Sequence, residues 1–340
     1  MNDLSPKERL LSSLKRERTD RPPVICTGGM MNSAIVEVMT KTGHTLPAAH
    51  SQSELMAELA RDIRRETGFE NFGVPYCMTV EAEVLGSSVN FGDLKCEPKI
   101  AREIFPSVSR VEYRDINKLL NAGRIRTVAE ASYQLAHSNS DVPVIGSVTG
   151  PVSAAASIVD PMNFLREMRK DRANTHRVIS YVSDFLIAFA RTLVDSGVTA
   201  ICISDPTATG EILGPKIFEE YAVEYLNRIT DGIHDAGVPV ILHICGDLKA
   251  VKPLIPKLRV DAISTDAMVN LKLLKEEFPD VTTMGNVSTY LLEFGDAEKV
   301  ARQTAGLIRD GVDIISPACG LSTSTSLANI TAMTGKVKDA

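Results

Sequence analysis

Residues 235–246 read DAGVPVILHICG, and this stretch contains the unit on which the predicted fold rests. A polar helix end and a glycine precede an uninterrupted apolar run. Glycine readily adopts the left-handed conformation that ends a helix, and such a run is typical of a parallel strand that is covered on both faces. The pattern recurs in DSGV at 195–198 and in DGV at 310–312. The chain is therefore expected to repeat a helix, a tight turn and a buried strand.

Eight short apolar runs predict eight strands, at residues 24–26, 72–74, 142–148, 200–203, 238–244, 262–264, 282–285 and 314–316. Amphipathic stretches predict helices at 53–67, 162–193 (as two helices), 215–235, 251–258, 270–277 and 297–310. Eight such units fit a closed α/β barrel, the TIM (β/α)8 fold. An open doubly wound sheet is the alternative, but no G-x-G-x-x-G motif follows the first strand.

Two further segments decorate the predicted barrel. Ser5, Pro6 and Glu8 have the spacing of a helix cap and capping box, which predicts an N-terminal helix running to about Arg16. The stretch at about 81–124 is too long for a minimal unit, and its apolar run at 84–91 predicts a hairpin inserted after the second strand. No linker rich in Pro, Gly or Ser divides the chain, so residues 1–340 are expected to form a single domain.

Composition excludes several classes of function. The chain has 340 residues, of which 44% are hydrophobic and 24% charged, and a formal charge of −6. Scattered basic residues outnumbered by carboxylates argue against a nucleic-acid partner. No apolar window reaches the length of a membrane span, and the polar N-terminus does not resemble a signal sequence. Six cysteines far apart in a long chain favour free thiols in the cytoplasm.

The strongest local signal is the pair His243 and Cys245 at the end of the fifth predicted strand. Alternation along a strand directs both side chains to one face. Cys319 follows the eighth predicted strand, so it should reach the same end of the barrel. One imidazole and two thiolates favour zinc over magnesium or calcium, and three protein ligands leave the fourth position open, as in catalytic zinc sites. The alternative is a chance pattern, because buried cysteine is common as a small apolar residue, as expected for Cys26 and Cys202.

The chain resembles the uroporphyrinogen decarboxylase superfamily, and within it the zinc-dependent methylcobamide:coenzyme M methyltransferases of the methanol type. The resemblance covers nearly the whole chain, through segments at 21–24, 75–83, 146–151, 205–206, 243–246 and 285–287 and through Cys319. In that family an H-x-C pair and a distant third cysteine bind zinc. The resemblance therefore implies His243, Cys245 and Cys319 as ligands of one zinc ion per chain.

The resemblance also implies a function. The expected reaction transfers a methyl group from a methylcobamide, carried by a separate corrinoid protein, to the thiol of coenzyme M during methanogenesis from methanol. Glu83, Asp205 and Asn286 are the expected catalytic residues: Glu83 to reach the metal or a proton, Asp205 and Asn286 to orient the ligands or to cap the next helix. Residues holding any further cofactor are unknown. Ser322, Thr323 and Ser324 are weak candidates for contacting the sulfonate.

Several alternatives stay open at this stage. The methyl group could come from a methylamine pathway, or the acceptor could be homocysteine, which would require a site for an α-amino acid. A decarboxylase-like lyase is disfavoured, because the family's arginine-rich loop after the first strand is replaced here by CTGGMMNS at 26–33. A barrel that only binds a corrinoid protein is the non-catalytic alternative.

Overall fold

The computed structural model describes residues 3–340, over which short strands alternate with helices. The strands are β1 (Phe72–Val74), β2 (Ser88–Asn90), β3 (Lys99–Arg102), β4 (Val144–Thr149), β5 (Ala200–Ser204), β6 (Val240–Ile244), β7 (Ala262–Thr265), β8 (Thr283–Val287) and β9 (Ile314–Pro317). The α-helices are α1 (Pro6–Leu14), α2 (Val36–Thr42), α3 (Ser53–Thr67), α4 (Val80–Leu85), α5 (Ile116–Leu119), α6 (Arg124–Ala136), α7 (Pro151–Ala156), α8 (Pro161–Lys170), α9 (Arg172–Asp195), α10 (Gly210–Ile217), α11 (Glu224–His234), α12 (Leu271–Glu277), α13 (Thr289–Phe294), α14 (Ala297–Arg309) and α15 (Leu327–Lys338).

Seven parallel strands form one curled sheet in the order β1, β4, β5, β6, β7, β8 and β9. Residues 23–26 lie between its two edges. Val24 bridges to Ile315 in β9, and the Val24 carbonyl accepts a hydrogen bond of 2.9 Å from the Glu70 amide just before β1. The ring is therefore closed, and the predicted α/β barrel is confirmed.

The first predicted strand, at 24–26, is wrong as a regular strand. Pro22 and Pro23 precede it and have no amide hydrogen to donate. The Asn71 side chain then pairs with both the amide and the carbonyl of Cys26, at 2.9 Å each, in place of a neighbouring strand. The segment closes the barrel through its bridge to β9, one backbone bond from Glu70, and the side chains of Glu70 and Asn71.

Strand alternation separates two cores. Inward side chains, such as Cys202, Ile241 and Met284, form a small central cluster, while their neighbours on the same strands pack against the helices. Leu10 and Leu14 of α1 belong to the central cluster. The N-terminal helix thus plugs one end of the barrel, and its capping box between Ser5 and Glu8 is present as expected. Because both strand faces are covered, the runs read as uninterrupted apolar sequence.

The insertion after β1 contains the expected hairpin, displaced along the chain. Strands β2 and β3 pair antiparallel. The start of the predicted run, at 84–85, instead ends helix α4, which Gly86 closes in the left-handed conformation. The hairpin therefore begins only after this glycine.

The predicted helices differ from the observed ones mainly where a proline or glycine interrupts the helix. Helix α3 has the expected bounds, whereas the expected helix at 251–258 is a 3-10 turn, Lys252–Lys257, that contains two prolines. The expected helix at 215–235 is divided into α10, which kinks at Gly214, a π-helical turn at Phe218–Val223, and α11. Among the described residues, no helix combines the length and apolar content that crossing a bilayer requires.

Candidate metal centre

Three side chains converge where strands β6 and β9 end. His243 is the fourth residue of β6, Cys245 follows that strand, and Cys319 lies two residues beyond β9. Their nitrogen and sulfur atoms all lie within 4.8 Å of one another. His243 Nε2 is 3.2 Å from Cys245 Sγ, which is 3.5 Å from Cys319 Sγ. The strand geometry expected from the sequence thus brings the three proposed ligands together.

A serine on the neighbouring strand orients the imidazole. His243 Nδ1 lies 3.0 Å from the Ser264 hydroxyl, and that hydroxyl donates towards Met31 Sδ at 3.6 Å. A hydroxyl that donates elsewhere accepts the Nδ1 proton, which leaves the lone pair of Nε2 facing the two sulfurs. Ser264 was not singled out from the sequence. Parallel pairing of β6 with β7 aligns Ser264 with His243, and the sequence predicted both strands but not their register.

The two sulfurs favour loss of one proton from the pair. The pKa of Cys319 is lowered to about 5, first by the hydrogen bond from Cys245 and then by His243, which oppose the effect of burial. The pKa of Cys245 is raised by the same hydrogen bond, together with its burial. The contact between the two sulfurs therefore favours the thiolate form of Cys319.

Glu83 lies outside this group and pairs with Arg124, a buried arginine at the start of α6. The same guanidinium donates to Thr79 Oγ1 at 2.8 Å and to Cys77 Sγ at 3.2 Å. Glu83 therefore fixes Arg124 against the loop that follows β1. Arg124 itself was missed, because its position at the end of the predicted insertion gave no sign of burial.

The neighbouring Glu81 points inward. It is buried and accepts hydrogen bonds from the Thr149 amide, at 2.7 Å, and from the Thr149 hydroxyl, at 3.0 Å. Burial raises its pKa above the ordinary glutamate value. These bonds join α4 to the end of β4.

Asp205 directly follows β5 and is completely buried. Its carboxylate accepts from the amides of Val152 and Ser153, at 3.1 and 2.8 Å, and from the Ser153 hydroxyl at 2.6 Å. Burial raises the pKa of Asp205 to about 6 against these hydrogen bonds. The side chain therefore binds the first turn of α7, the helix after the adjacent strand β4.

Asn286 in β8 holds the loop that follows β7. Its side-chain amide donates to the carbonyls of Asp266 and Val269 at 2.9 and 2.8 Å. The Asp266 carboxylate in turn accepts a bond of 3.4 Å from the amide of Gly246, the residue after Cys245. Asn286 thus acts on the loop after Cys245 only indirectly, through Asp266.

The inserted hairpin lies against the loops that surround the three ligands. Asn32 donates to the Glu97 carboxylate at 3.0 Å, and the Thr323 hydroxyl donates to the Lys95 carbonyl at 2.8 Å. Burial raises the pKa of Glu97, and the charge of Cys319 acts in the same direction. The sequence predicted the insertion but not Glu97, because register and spacing do not show which residue of a hairpin faces the barrel. Of the three residues considered for a sulfonate, Thr323 is thus engaged with the hairpin, while Ser322 and Ser324 pair at 2.7 Å.

Comparison with known proteins gives one consistent result. The family model for uroporphyrinogen decarboxylase (URO-D) matches residues 5–340. A methylcobamide:CoM methyltransferase named MtbA from Methanosarcina acetivorans is 32% identical over 98% of this chain and 97% of its own length, and one named MtaA from Methanosarcina barkeri is 28% identical with the same coverage. A solved structure of a methyltransferase from Methanosarcina mazei superposes with a TM-score of 0.93, at 27% identity, over 99% of both chains.

Proposed function

The chain belongs to the uroporphyrinogen decarboxylase (URO-D) family. From its similarity to the methylcobamide:CoM methyltransferases of that family, we propose that it transfers a methyl group from a methylated corrinoid to the thiol of coenzyme M. We propose further that His243, Cys245 and Cys319 hold one zinc ion per chain, and that a separate protein carries the corrinoid. The observation that supports the proposal best is the convergence of one imidazole nitrogen and two sulfurs at the barrel mouth.

The residues fit zinc by donor type and by spacing. Imidazole and thiolate are softer donors than magnesium or calcium prefer. Tetrahedral ligands at the usual zinc distances are separated by about 3.5 to 3.8 Å. In the structure the two sulfurs are 3.5 Å apart, and His243 Nε2 lies slightly closer, at 3.2 Å from Cys245 Sγ. The lowered pKa of Cys319 favours the anionic form that a zinc ligand requires.

The charges of the three ligands suit alkyl transfer to sulfur. A bound zinc ion would keep the substrate thiol deprotonated at neutral pH. Cys245 and Cys319 contribute two negative charges and His243 contributes none. An incoming thiolate therefore meets a site whose charge is already balanced, and its sulfur retains the electron density needed to attack a methyl group.

The expected catalytic residues act as positioning residues in this proposal. Asp205 fixes the start of α7 beside the mouth, and Asn286 fixes the loop whose Asp266 contacts Gly246. Glu83 holds Arg124, a buried cation on the β1 side of the mouth. Each would support the shape of the site without touching the reacting sulfur.

We further propose that the reaction serves methanogenesis from methanol and takes place in the cytoplasm. Relatives named MtbA and MtaA both match this chain, so the corrinoid protein that it accepts must be tested directly. Methylated corrinoid proteins of the methanol and the methylamine routes should be offered in parallel. Faster demethylation of the methylamine carrier would overturn the methanol assignment and leave the reaction itself intact.

The test of the reaction uses free methylcobalamin and coenzyme M with the purified, zinc-loaded protein. We expect demethylation of the corrinoid, seen in its visible spectrum, in the wild type and in Cys96→Ala, whose thiol is exposed on the hairpin. Cys245→Ala and Cys319→Ala should each lose zinc and activity. Zinc retained in both variants would refute the site, and turnover with homocysteine but not with coenzyme M would refute the acceptor.

A further inference from the structure

A methionine lies against the proposed ligand set. Met30 Sδ is 3.7 Å from Cys245 Sγ, on a side chain that is only half-buried. For two sulfur donors on one tetrahedral zinc ion, the expected separation is about 3.8 Å. The distance between Met30 Sδ and Cys245 Sγ is therefore the one expected if both sulfurs bound the same tetrahedral zinc ion as His243 and Cys319.

The turn that presents Met30 is closely constrained. Gly28 and Gly29 both have positive φ, 89° and 60°. The Gly28 amide donates to the Met31 carbonyl, and the Met31 amide donates to the Gly28 carbonyl, each at 3.0 Å. The Gly29 amide donates to the Pro75 carbonyl at 2.6 Å. A side chain at Gly28 would place its Cβ 2.7 Å from the Val74 backbone nitrogen. These contacts hold the turn against β1.

The loop with the third ligand approaches the same turn. A Cβ on Gly320, the residue after Cys319, would lie 2.5 Å from the Met30 carbonyl oxygen. Absence of a side chain at Gly320 allows the two backbones to touch. Backbone packing thus sets the position of Met30 relative to Cys319, while its sulfur contacts Cys245.

We propose that the Met30 thioether is the fourth donor of the metal centre and that the substrate thiol replaces it. The inference rests on the proposed zinc site and adds its fourth donor. A thioether is a soft donor of the kind that zinc accepts, but it is neutral and competes poorly with a thiolate. On exchange, the bond between zinc and the Met30 sulfur would break and a bond between zinc and the substrate sulfur would form. The proton of the substrate thiol would pass to solvent. No electron is gained or lost.

After its displacement by the substrate thiol, the Met30 side chain would remain close enough to bind zinc again. The glycine turn keeps its backbone in place, while three rotatable bonds let the thioether move aside and return. The open position would therefore be closed to water between turnovers.

The test labels the protein with selenomethionine and measures X-ray absorption at the zinc edge. We expect one selenium neighbour of zinc in the resting protein, and its loss when coenzyme M is added. Met30→Leu should retain zinc, because the imidazole and both anionic thiolates remain and only a neutral donor is lost, and it should lack the selenium signal. Met333→Leu is the matched control: Met333 is a buried methionine of helix α15, so the signal should persist in this variant. Both substitutions conserve volume.

The possible results distinguish failure of the Met30 role from failure of the proposed zinc site and function. Zinc with nitrogen, oxygen and sulfur neighbours but no selenium would overturn the role of Met30 and leave the zinc site intact. A selenium signal that survives in Met30→Leu would also overturn it. Protein that binds no zinc would instead refute the proposed function.

Discussion

One hydrogen bond, at Nδ1, orients the His243 imidazole so that Nε2 faces the sulfurs of Cys245 and Cys319. The Ser264 hydroxyl that makes this bond is completely buried and comes from the adjacent strand. The alternation of side chains along one strand predicted His243 and Cys245 correctly as neighbours in space. The same reasoning omitted Ser264, because its role depends on pairing between strands that are some twenty positions apart in the chain.

Substitution of this serine should weaken metal binding without unfolding the barrel. In Ser264→Ala the imidazole loses the partner that fixes its tautomer, and such losses commonly lower metal affinity by about 10- to 100-fold. Competition with a chromophoric chelator measures the change. Ser316→Ala is the control, because that buried hydroxyl bonds only the next carbonyl, that of Pro317, and should leave the affinity unchanged. Equal affinities in wild type and Ser264→Ala would contradict the proposed orientation.

Asp205 should make folding stability depend on pH in an unusual direction. Its pKa is about 6 in the folded chain, above the ordinary value of 3.8, so the folded state binds the proton more tightly than the unfolded state does. The stabilisation is complete below pH 4 and is lost as the pH rises to 6. The linked change in the free energy of unfolding is about 3 kcal/mol.

Urea unfolding of wild type and Asp205→Asn between pH 4 and 7 isolates this contribution. The difference in unfolding free energy between the two proteins should change across the interval, because asparagine does not titrate. Asp296→Asn provides the contrast, since the pKa of this exposed cap is lowered and its contribution is lost as the pH falls. A wild-type minus Asp205→Asn difference that is constant with pH would rule out the raised pKa.

Among the helices and strands, the sequence predicted the bounds correctly where the residues at the ends of an element determine where it begins and stops. Helix α3 and strand β1 have the predicted bounds, and Gly197, Gly237 and Gly311 adopt the expected positive φ after their helices. Helices α4 and α6 flank the insertion and were not predicted. Their identity depends on contacts with the barrel, such as the pairing of Glu83 with Arg124, which no short window of sequence contains.

The hairpin of β2 and β3 is held to the barrel by a few polar contacts, one of them from Thr323. Thr323→Val removes that hydroxyl at nearly constant volume. A hydrogen bond contributes about 1 kcal/mol, so amide hydrogen exchange across residues 88–102 should accelerate about fivefold. Thr331→Val, in which an exposed helix hydroxyl is lost, should leave the exchange of this segment unchanged. Unchanged exchange in Thr323→Val would show that other contacts hold the hairpin.

At the scale of the whole molecule, barrel closure brings distant parts of the sequence to one opening. Met30 follows the closing segment, Cys245 follows β6 at 215 positions further along the chain, and Cys319 follows β9 after another 74 positions. The repeat of apolar runs predicted that these points share one end of the barrel. It did not predict that residues 23–26 close the ring without forming a strand, because that depends on the Asn71 side chain.

A zinc ion held by His243, Cys245 and Cys319 is expected to take up the substrate thiol as a thiolate. Calorimetric titration of coenzyme M into the zinc-loaded protein at pH 7, repeated in buffers of different ionisation enthalpy, counts the protons released. A free thiol is mostly protonated at this pH, so binding should release one proton per chain. Wild type and Cys96→Ala should give this result, and Cys319→Ala should show no binding. Binding by the zinc-loaded wild type without proton release would contradict this expectation, as would equal proton release by zinc-free Cys319→Ala.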